Sequence, residues 1–471
     1  MGFEYKNFRL GDIATFAYGK MPKKNLLGTG EFITFSGYKY LDSYPEKNAS
    51  VGDLIVVARG VGGTGDVKLV EQECYLTNLS IKISLDNEII LNEYFYYMFR
   101  LNNLRYLDSG SAQSQITIAD LSNVQLEIPS ISAQKFVIVQ LKTLDNKITL
   151  NRQINQTLEQ MAQTLFKSWF VDFDPVIDNA LDAGNAIPDE LQARAEQRQA
   201  LRHAANEANA ANQPHSTRTN PAAGDALAST YKPLPDDIRQ LFPNEFEESE
   251  LGWVPKGWVV KTCEEIAERI GMGPFGSNIK TSTFVSSGVP IINGQQLKGF
   301  LVEETFANFL TPEHAEKLSN SIVKPGDIVF THRGTIGQVS LIPSQSSYDK
   351  YIVSQSQFFL RPNVEILGSY YIECFFKSAL GQQRLLSNAS QVGVPAIARP
   401  SSHLKQLKIL VPSYDTQDYF ETLVGTYIES IVLRNKELKT LTKLRDTLLP
   451  KLISGELRLD EVESTIAETT A

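Results

Sequence analysis

The sequence predicts an α+β protein made by internal duplication. Two similar mixed α/β domains are each followed by one long helix, and the halves are related by a pseudo-two-fold. Three observations predict it. The chain has 471 residues, too many for a single core. Two halves offset by roughly 280 residues read alike, the signature of an internal repeat. Each half ends in an apolar helical pattern of roughly 38 residues, about 57 Å at 1.5 Å per residue. That exceeds a globular core here, so the two helices are expected to pack on each other as a rod.

The elements follow in chain order. In the first half 51-VGDLIVVARGVGG-63 reads as a strand, a turn and a basic residue; 325-PGDIVFTHRGTIG-337 has the same shape. Gly52, Asp53, Arg59 and Gly60 match Gly326, Asp327, Arg333 and Gly334. The stretch 75-YLTNLSIKISLDNEIILNEYFYYMFR-100 pairs with 351-YIVSQSQFFLRPNVEILGSYYIECFFKS-378, each one strand and then an aromatic-rich helix. Next, 121-LSNVQLEIP-129 pairs with 404-LKQLKILVP-412, a short strand closed by proline. A long helix follows each proline. The first, about Ser132 to Phe170, places Leu141, Leu144, Ile148, Leu158, Met161, Leu165 and Trp169 on a seam, interrupted by Asn151 and Asn155. The second, about Thr416 to Ile453, uses Ile431, Leu438, Leu441, Leu444, Leu448 and Leu452, and Gly455 ends it. Between the halves, residues 191–224 are alanine-rich and polar. The beginning reads as an exposed helix, and the part after Asn212 reads as flexible linker.

Composition narrows the function. Apolar residues are 42% and charged residues 21%, the values of a globular protein. No apolar run reaches the ~18–20 residues of a membrane span, and Met1–Asp12 lacks the apolar core of a signal peptide. Cys74, Cys263 and Cys374 form no paired spacing, so neither zinc nor a disulfide framework is indicated, and a reducing cytoplasm fits. The net charge of −9 argues mildly against a stand-alone nucleic-acid binder, although charge can be local and a partner can add phosphate-binding surface.

Catalytic motifs are missing. There is no P-loop, no nucleophile elbow and no N-P-P-[YF] tetrapeptide of an amino-methyltransferase. His203, His215, His314, His332 and His403 lack metal-ligand spacing. The glycine-rich 60-GVGGTGD-66 reads as a turn at a strand end. Asp172 and Asp174, in 168-SWFVDFDP-175, are the best acidic pair. A metal would need further oxygen ligands, and the matching end of the second helix, 451-KLISGE-456, keeps the apolar pair and drops the acids. Packing is therefore the reading for Trp169 and Phe170, with Pro175 stopping the helix and the aspartates bonding to backbone in the turn.

What remains is recognition. Side chains that grip phosphates and read base edges sit in loops of both halves. Lys20, Lys23, Lys24, Lys39, Arg59, Ser111, Gln113 and Gln115 are the candidates in the first half. Asn278, Lys280, Asn293, Gln295, His332, Arg333 and Gln391 are those in the second. Arg59 and Arg333 follow the same strand and form the best single pair. Leu144, Ile148, Leu158, Leu165, Trp169, Phe170, Leu438, Leu441, Leu448 and Leu452 are the candidates for helix and subunit packing.

The segments 165-LFKSWFVDFDPV-176, 241-LFPNEFEESELGWVPKGWVV-260 and 444-LRDTLLPKLISGELRL-459 resemble the specificity subunit of type I restriction–modification systems, and the resemblance covers nearly the whole chain. It implies target-recognition domains at 1–130 and 241–412, a central conserved helix at 131–175, a linker at 176–240, a C-terminal conserved helix at 413–459 and a tail at 460–471. It implies that the helices form an antiparallel coiled coil that spaces the domains and docks two modification subunits, joined by two restriction subunits. Each domain would then read one half of a bipartite target in double-stranded DNA, on major-groove segments roughly 34–36 Å apart. The chain itself would be non-catalytic, cytoplasmic and free of metal and cofactor. S-adenosylmethionine, ATP and magnesium would belong to the partner subunits. Two alternatives stand beside it: a metal-dependent nuclease using Asp172 and Asp174, and a structural coiled-coil adaptor that does not touch DNA.

Overall fold

The apolar runs Leu54–Val57 and Ile328–Thr331 are buried along their whole length. Successive side chains of a strand point to opposite faces, so such a run needs a core on each side. Leu54 and Val56 join one cluster and Ile55 another; Ile328 and Phe330 join one and Val329 another. These two strands are the centres of two copies of one frame in the computed structural model. It describes residues 4–37, 39–60, 63–108, 114–211, 233–274, 278–390 and 393–457.

The chain divides into a first unit, residues 1–153 and 435–471, and a second unit, residues 154–434. In the first, an antiparallel sheet has the order Ala14–Tyr18, Ser80–Leu85, Leu54–Val57, Val67–Leu69. In the second, the order Ala267–Met272, Gln357–Pro362, Ile328–Thr331, Val339–Leu341 repeats it. A second sheet in each unit contains one parallel pair: Phe32–Phe35 beside Cys74–Leu76, and Val289–Ile292 beside Tyr351–Val353. A two-stranded ribbon completes each frame, Tyr5–Arg9 with Gln125–Pro129 and Val259–Thr262 with Lys408–Val411. The single strands expected at 75 and 351 are thus each two strands, one in each sheet, separated by a turn. The Gly-Asp motif is structural in both copies. Gly52 and Gly326 have φ of 85° and 90°, which glycine adopts without Cβ strain. Asp53 accepts from the Ser50 N–H and pairs with Lys82; Asp327 accepts from the Lys324 N–H and pairs with Arg361 at 2.7 Å.

The long helices are Ile131–Phe166 and Tyr414–Ile453. The first begins in the first unit and ends in the second; the other does the reverse. Within the first unit Asp145 accepts from Arg445 at 3.1 Å and Asn151 donates to Glu437 at 2.8 Å. One number rises as the other falls, so the pairing is antiparallel. Within the second unit Phe166, Trp169 and Phe170 pack on Phe420, with Phe170 and Phe420 rings 5.0 Å apart.

Leu141, Ile148, Trp169, Phe170, Ile431, Leu444, Leu448 and Leu452 are buried. Leu144, Leu158 and Leu165 pack partly buried against the cores, and Leu438 and Leu441 are half-buried. Met161 departs from the expected seam: it is 45% exposed, while its neighbour Ala162 is 1% exposed. A straight helix drifts from a 3.5-residue repeat, and here the contact position passes to the small residue. Asn151 and Asn155 are buried in the same row.

The first helix does not end at Pro175. It loosens into a wide turn at Lys167–Val171, and Phe173, with φ 55°, breaks it. Pro175 instead sits in the first turn of a new helix, Asp174–Ala183, where a missing N–H costs nothing. The expected linker at 176–240 is also corrected in its first part. Val176, Ile177 and Ala180 are buried, and a helix at Asp189–Ala211 lies against the new one. Asp174, Asp178 and Asp182 share one helical face at i, i+4, i+8 spacing, and Arg194, Arg198 and Arg202 share the other. They pair rung by rung, and Arg239 closes on Asp182. The backbone role expected for the aspartates is therefore replaced. Asp172 pairs with Lys167 and Arg194, and Asp174 accepts from Arg194 at 2.7 and 2.8 Å and from Ser168.

Candidate nucleic-acid interface

The turn between the two sheets gathers the polar loops. In the first unit this turn is Thr77–Leu79. The Lys20 N–H donates to the Leu76 carbonyl at 3.0 Å, and the Arg59 N–H to the Leu79 carbonyl at 3.1 Å. The Ile116 N–H donates to the Ala58 carbonyl at 2.9 Å, and Arg59 and Gln115 form an antiparallel bridge. The Thr77 N–H donates to the Phe35 carbonyl, which holds the 36–39 turn carrying Lys39 close by. A Cβ on Gly19 would fall 2.2 Å from the Thr77 carbonyl oxygen, so only glycine lets Lys20 approach. Lys20, Lys39, Arg59 and Gln115 are thereby brought together. Lys23 and Lys24 are exposed on the following loop, with the Lys23 N–H bonded to the Tyr44 hydroxyl. Ser111 and Gln113 lie outside the described residues.

In the second unit the equivalent turn is Ser354–Ser356. The His332 N–H donates to the Ser356 carbonyl at 2.9 Å, and the Ile397 N–H to the His332 carbonyl at 2.8 Å. Arg333 bridges Ala396 as Arg59 bridges Gln115. A Cβ on Gly273 would meet the Ser354 carbonyl at 1.8 Å, repeating the constraint at Gly19. Gln338 donates to the Gly294 carbonyl at 3.0 Å and accepts from Thr331, which ties the Asn293–Gln295 loop to the strand end. Asn293, Gln295, His332 and Arg333 therefore converge. Asn278 and Lys280 sit elsewhere: the Asn278 carbonyl contacts His314 at the Pro312–Lys317 helix. Gln391 lies outside the described residues.

Lys20, Lys39, Arg59, Gln295 and Arg333 are exposed here. His332 is packed against Phe358, with its Nε2 3.0 Å from the Gln355 carbonyl oxygen. Burial holds its pKa below the usual imidazole range. Guanidinium forks beside amide side chains match guanine and adenine edges in the major groove.

Sequence reasoning missed Arg399. It lines a cleft with Met272, His332, Arg333, Val394 and Ala396. It is exposed and lies at φ 44°, ψ 56°, directly before Pro400. Both the left-handed backbone and the following proline disfavour that conformation. It precedes the helix Pro400–Gln406 without a side-chain cap, whereas in the first unit Thr117 caps Ile118–Ser122 and closes a capping box with Asp120. An arginine stands where a stabilising cap would be, at a strained position beside His332 and Arg333. Strain of this kind is a functional signal that only backbone angles reveal.

The carboxylates of Asp172 and Asp174 are taken by Lys167, Arg194 and Ser168, and among the described residues no group of three or more His, Cys, Asp or Glu could hold an ion. No helix among them is long and apolar enough to cross a membrane.

Residues 3–160 and 255–443 match the family described as type I restriction modification DNA specificity domain. The chain is 27% identical over 476 residues to the type I restriction enzyme HindI specificity subunit of Haemophilus influenzae, covering 96% of this chain and all of that one. It is 23% identical to the MjaIX specificity subunit of Methanocaldococcus jannaschii, covering 82% of this chain and 74% of that one. The crystal structure of a type I restriction–modification S subunit from M. genitalium has the same fold, with a TM-score of 0.52 at 14% identity and 96% coverage of both chains.

Proposed function

We propose a function from one premise: the chain belongs to the type I restriction modification DNA specificity domain family. It is the DNA-specificity subunit of a type I restriction–modification complex and is itself non-catalytic. Each unit binds one half of a bipartite target in double-stranded DNA. The paired long helices set the spacing of the half-sites and dock two modification subunits, which two restriction subunits join. S-adenosylmethionine, ATP and magnesium are used by those partners, because the chemistry resides there.

The observation that carries this reading is the duplicated turn. In both units an exposed arginine leaves the same strand, bridges the same returning segment and stands on the same inter-sheet turn. The two surroundings differ. Arg59 has Lys20, Lys39 and Gln115 beside it; Arg333 has His332, Asn293, Gln295 and Arg399. Different side chains on one frame read different half-sites. Phosphate contacts supply affinity that falls with salt, and each bidentate base contact adds about 1–3 kcal/mol of discrimination.

The test is methylome sequencing of cells that carry this chain with its modification partner. A split adenine-methylated motif that disappears when the chain is deleted is expected. A motif that persists without the chain would remove the proposal. Footprinting of the complex separates it from a structural adaptor, which leaves DNA unprotected.

A further inference from the structure

The two sheets end differently at equivalent edges. In the second unit the edge strand Val339–Leu341 is covered by the chain's own segment Phe300–Val302, in parallel register. The Leu341 N–H donates to the Phe300 carbonyl at 3.0 Å, and the Val302 N–H donates to the Leu341 carbonyl at 2.9 Å. Phe300, Leu301 and Val302 are all buried. Lys377 lies 5.8 Å from the Phe300 ring and donates to the Gly299 carbonyl at 2.9 Å.

The first unit has the same edge without the cover. Its strand Val67–Leu69 pairs with Leu54–Val57 through Lys68 opposite Ile55, while Leu69 faces Leu54 as Leu341 faces Ile328. The flanking bonds, Val57 N–H to Asp66 and Val70 N–H to Asp53, put Leu69 at a position whose N–H and carbonyl point outward. Among the described residues no strand or isolated bridge adds to that side. The reason lies in the sequence. The segment joining the second-sheet strands is residues 36–39 in the first unit and residues 293–308 in the second. The longer connection supplies the cover, and the shorter one cannot reach.

The uncovered edge forms one wall of a large cleft of the first unit, lined by Val67–Val70, Tyr96, Arg100, Glu71 and Glu93. Arg100 follows the helix Asn92–Met98 as Lys377 closes its counterpart Ser369–Lys377; it pairs with Asp145 and lies over the Tyr96 and Tyr97 rings. Of the acids in its lining, Asp53 pairs with Lys82, Asp145 with Arg100 and Arg445, and Glu93 with Lys142; Asp66, Glu71 and Lys68 are the other charges there.

We infer that the Val67–Leu69 edge is a strand-addition site for an extended segment of a partner protein, with aromatic or aliphatic residues at three successive positions and a basic flank. Main-chain bonds to Leu69 give the register, as in other strand-added complexes. The second unit's own cover, preceded by Lys298, is the template for that chemistry. The inference does not depend on the DNA reading, because no residue proposed to contact DNA is among those it uses.

Hydrogen exchange on the full chain tests it, with a synthetic peptide copying residues 297–303 as the added strand. In the free chain the Leu69 amide exchanges fast and the Leu341 amide slowly. The peptide slows Leu69 by about ten-fold or more, the mark of a newly closed backbone bond. The same peptide N-methylated at the Val302 position, which lacks the donor, does not. The idea is overturned if Leu69 is already as protected as Leu341, or if neither peptide protects it. Equal protection by both peptides also overturns it, since apolar adhesion needs no N–H. Protection that rises with the concentration of the chain alone would assign the edge to a second copy and overturn the partner.

Discussion

The two units share a frame and part company at two places. The first has a capped helix at Thr117 and an open sheet edge at Leu69. The second has a strained arginine at the cap position and a covered edge. What is common holds the sheets, the inter-sheet turn and the arginine in place. What differs lies in loops that the frame tolerates. A recognition surface can therefore change without rebuilding a core, and local stability is given up where Arg399 faces the cleft.

The largest effects concern the crossed helices. Phe166→Ala should cost about 4 kcal/mol and Leu448→Ala about 3 kcal/mol, the range for emptying a buried site. The comparison makes the outcome specific. Phe166→Ala should loosen the second unit, although that helix starts in the first, and Leu448→Ala should loosen the first. Hydrogen exchange resolved by segment reads this; loss confined to the unit where each helix begins would break the scheme.

The second unit should also respond more to pH. Burial pushes the Glu373 carboxyl up to about 8, with Lys377 opposing, and burial pushes Glu421 up to about 7 despite the Tyr370 and Tyr371 N–H donors. A carboxyl raised in the folded state binds protons that the unfolded chain has lost. Stability therefore falls as pH rises from the ordinary carboxylate range near 4.3 to about 8, and levels off above. Thermal melts at pH 5 and pH 8 should show this loss, and Glu373→Gln should remove much of it. An unchanged difference in that variant would show that Glu373 is not its source.

Breaking one rung of the aspartate–arginine ladder comes next. Asp178→Ala leaves Arg198 beside a buried helix and should cost about 2 kcal/mol, below the full value for a buried pair because Arg198 is partly solvated. Urea titration measures it, and no change would mean that the hairpin is held by Val176 and Ile177 alone.

Arg59→Ala and Arg333→Ala should each weaken DNA binding by about 1–3 kcal/mol in the assembled complex, each relaxing one half of the target. Equal loss across both halves would argue for phosphate contacts instead. The smallest effect is the most diagnostic of strain: Arg399→Gly should stabilise the second unit by about 1 kcal/mol and still weaken binding. Loss of stability there would show that the arginine supports the fold.

Much of this was legible in the sequence. The repeat fixed the paired strands, the Gly-Asp turns and the two arginines, because strand period and turn chemistry act locally. The long helices were legible from their apolar rows, apart from Met161, where small Ala162 takes the contact. The ladder was written as aspartates and arginines four apart, yet its 20-residue offset between helices is visible only once both helices exist. Arg399 and the Phe300–Val302 cover depend on backbone angles and on pairing between distant segments, which no local pattern records.

The central claim is that each unit reads its own half of the target. Exchanging residues 1–130 for the corresponding domain of another specificity subunit, followed by methylome sequencing, tests it most directly. The account predicts that one half of the methylated motif changes and the other stays. A change in both halves would contradict it.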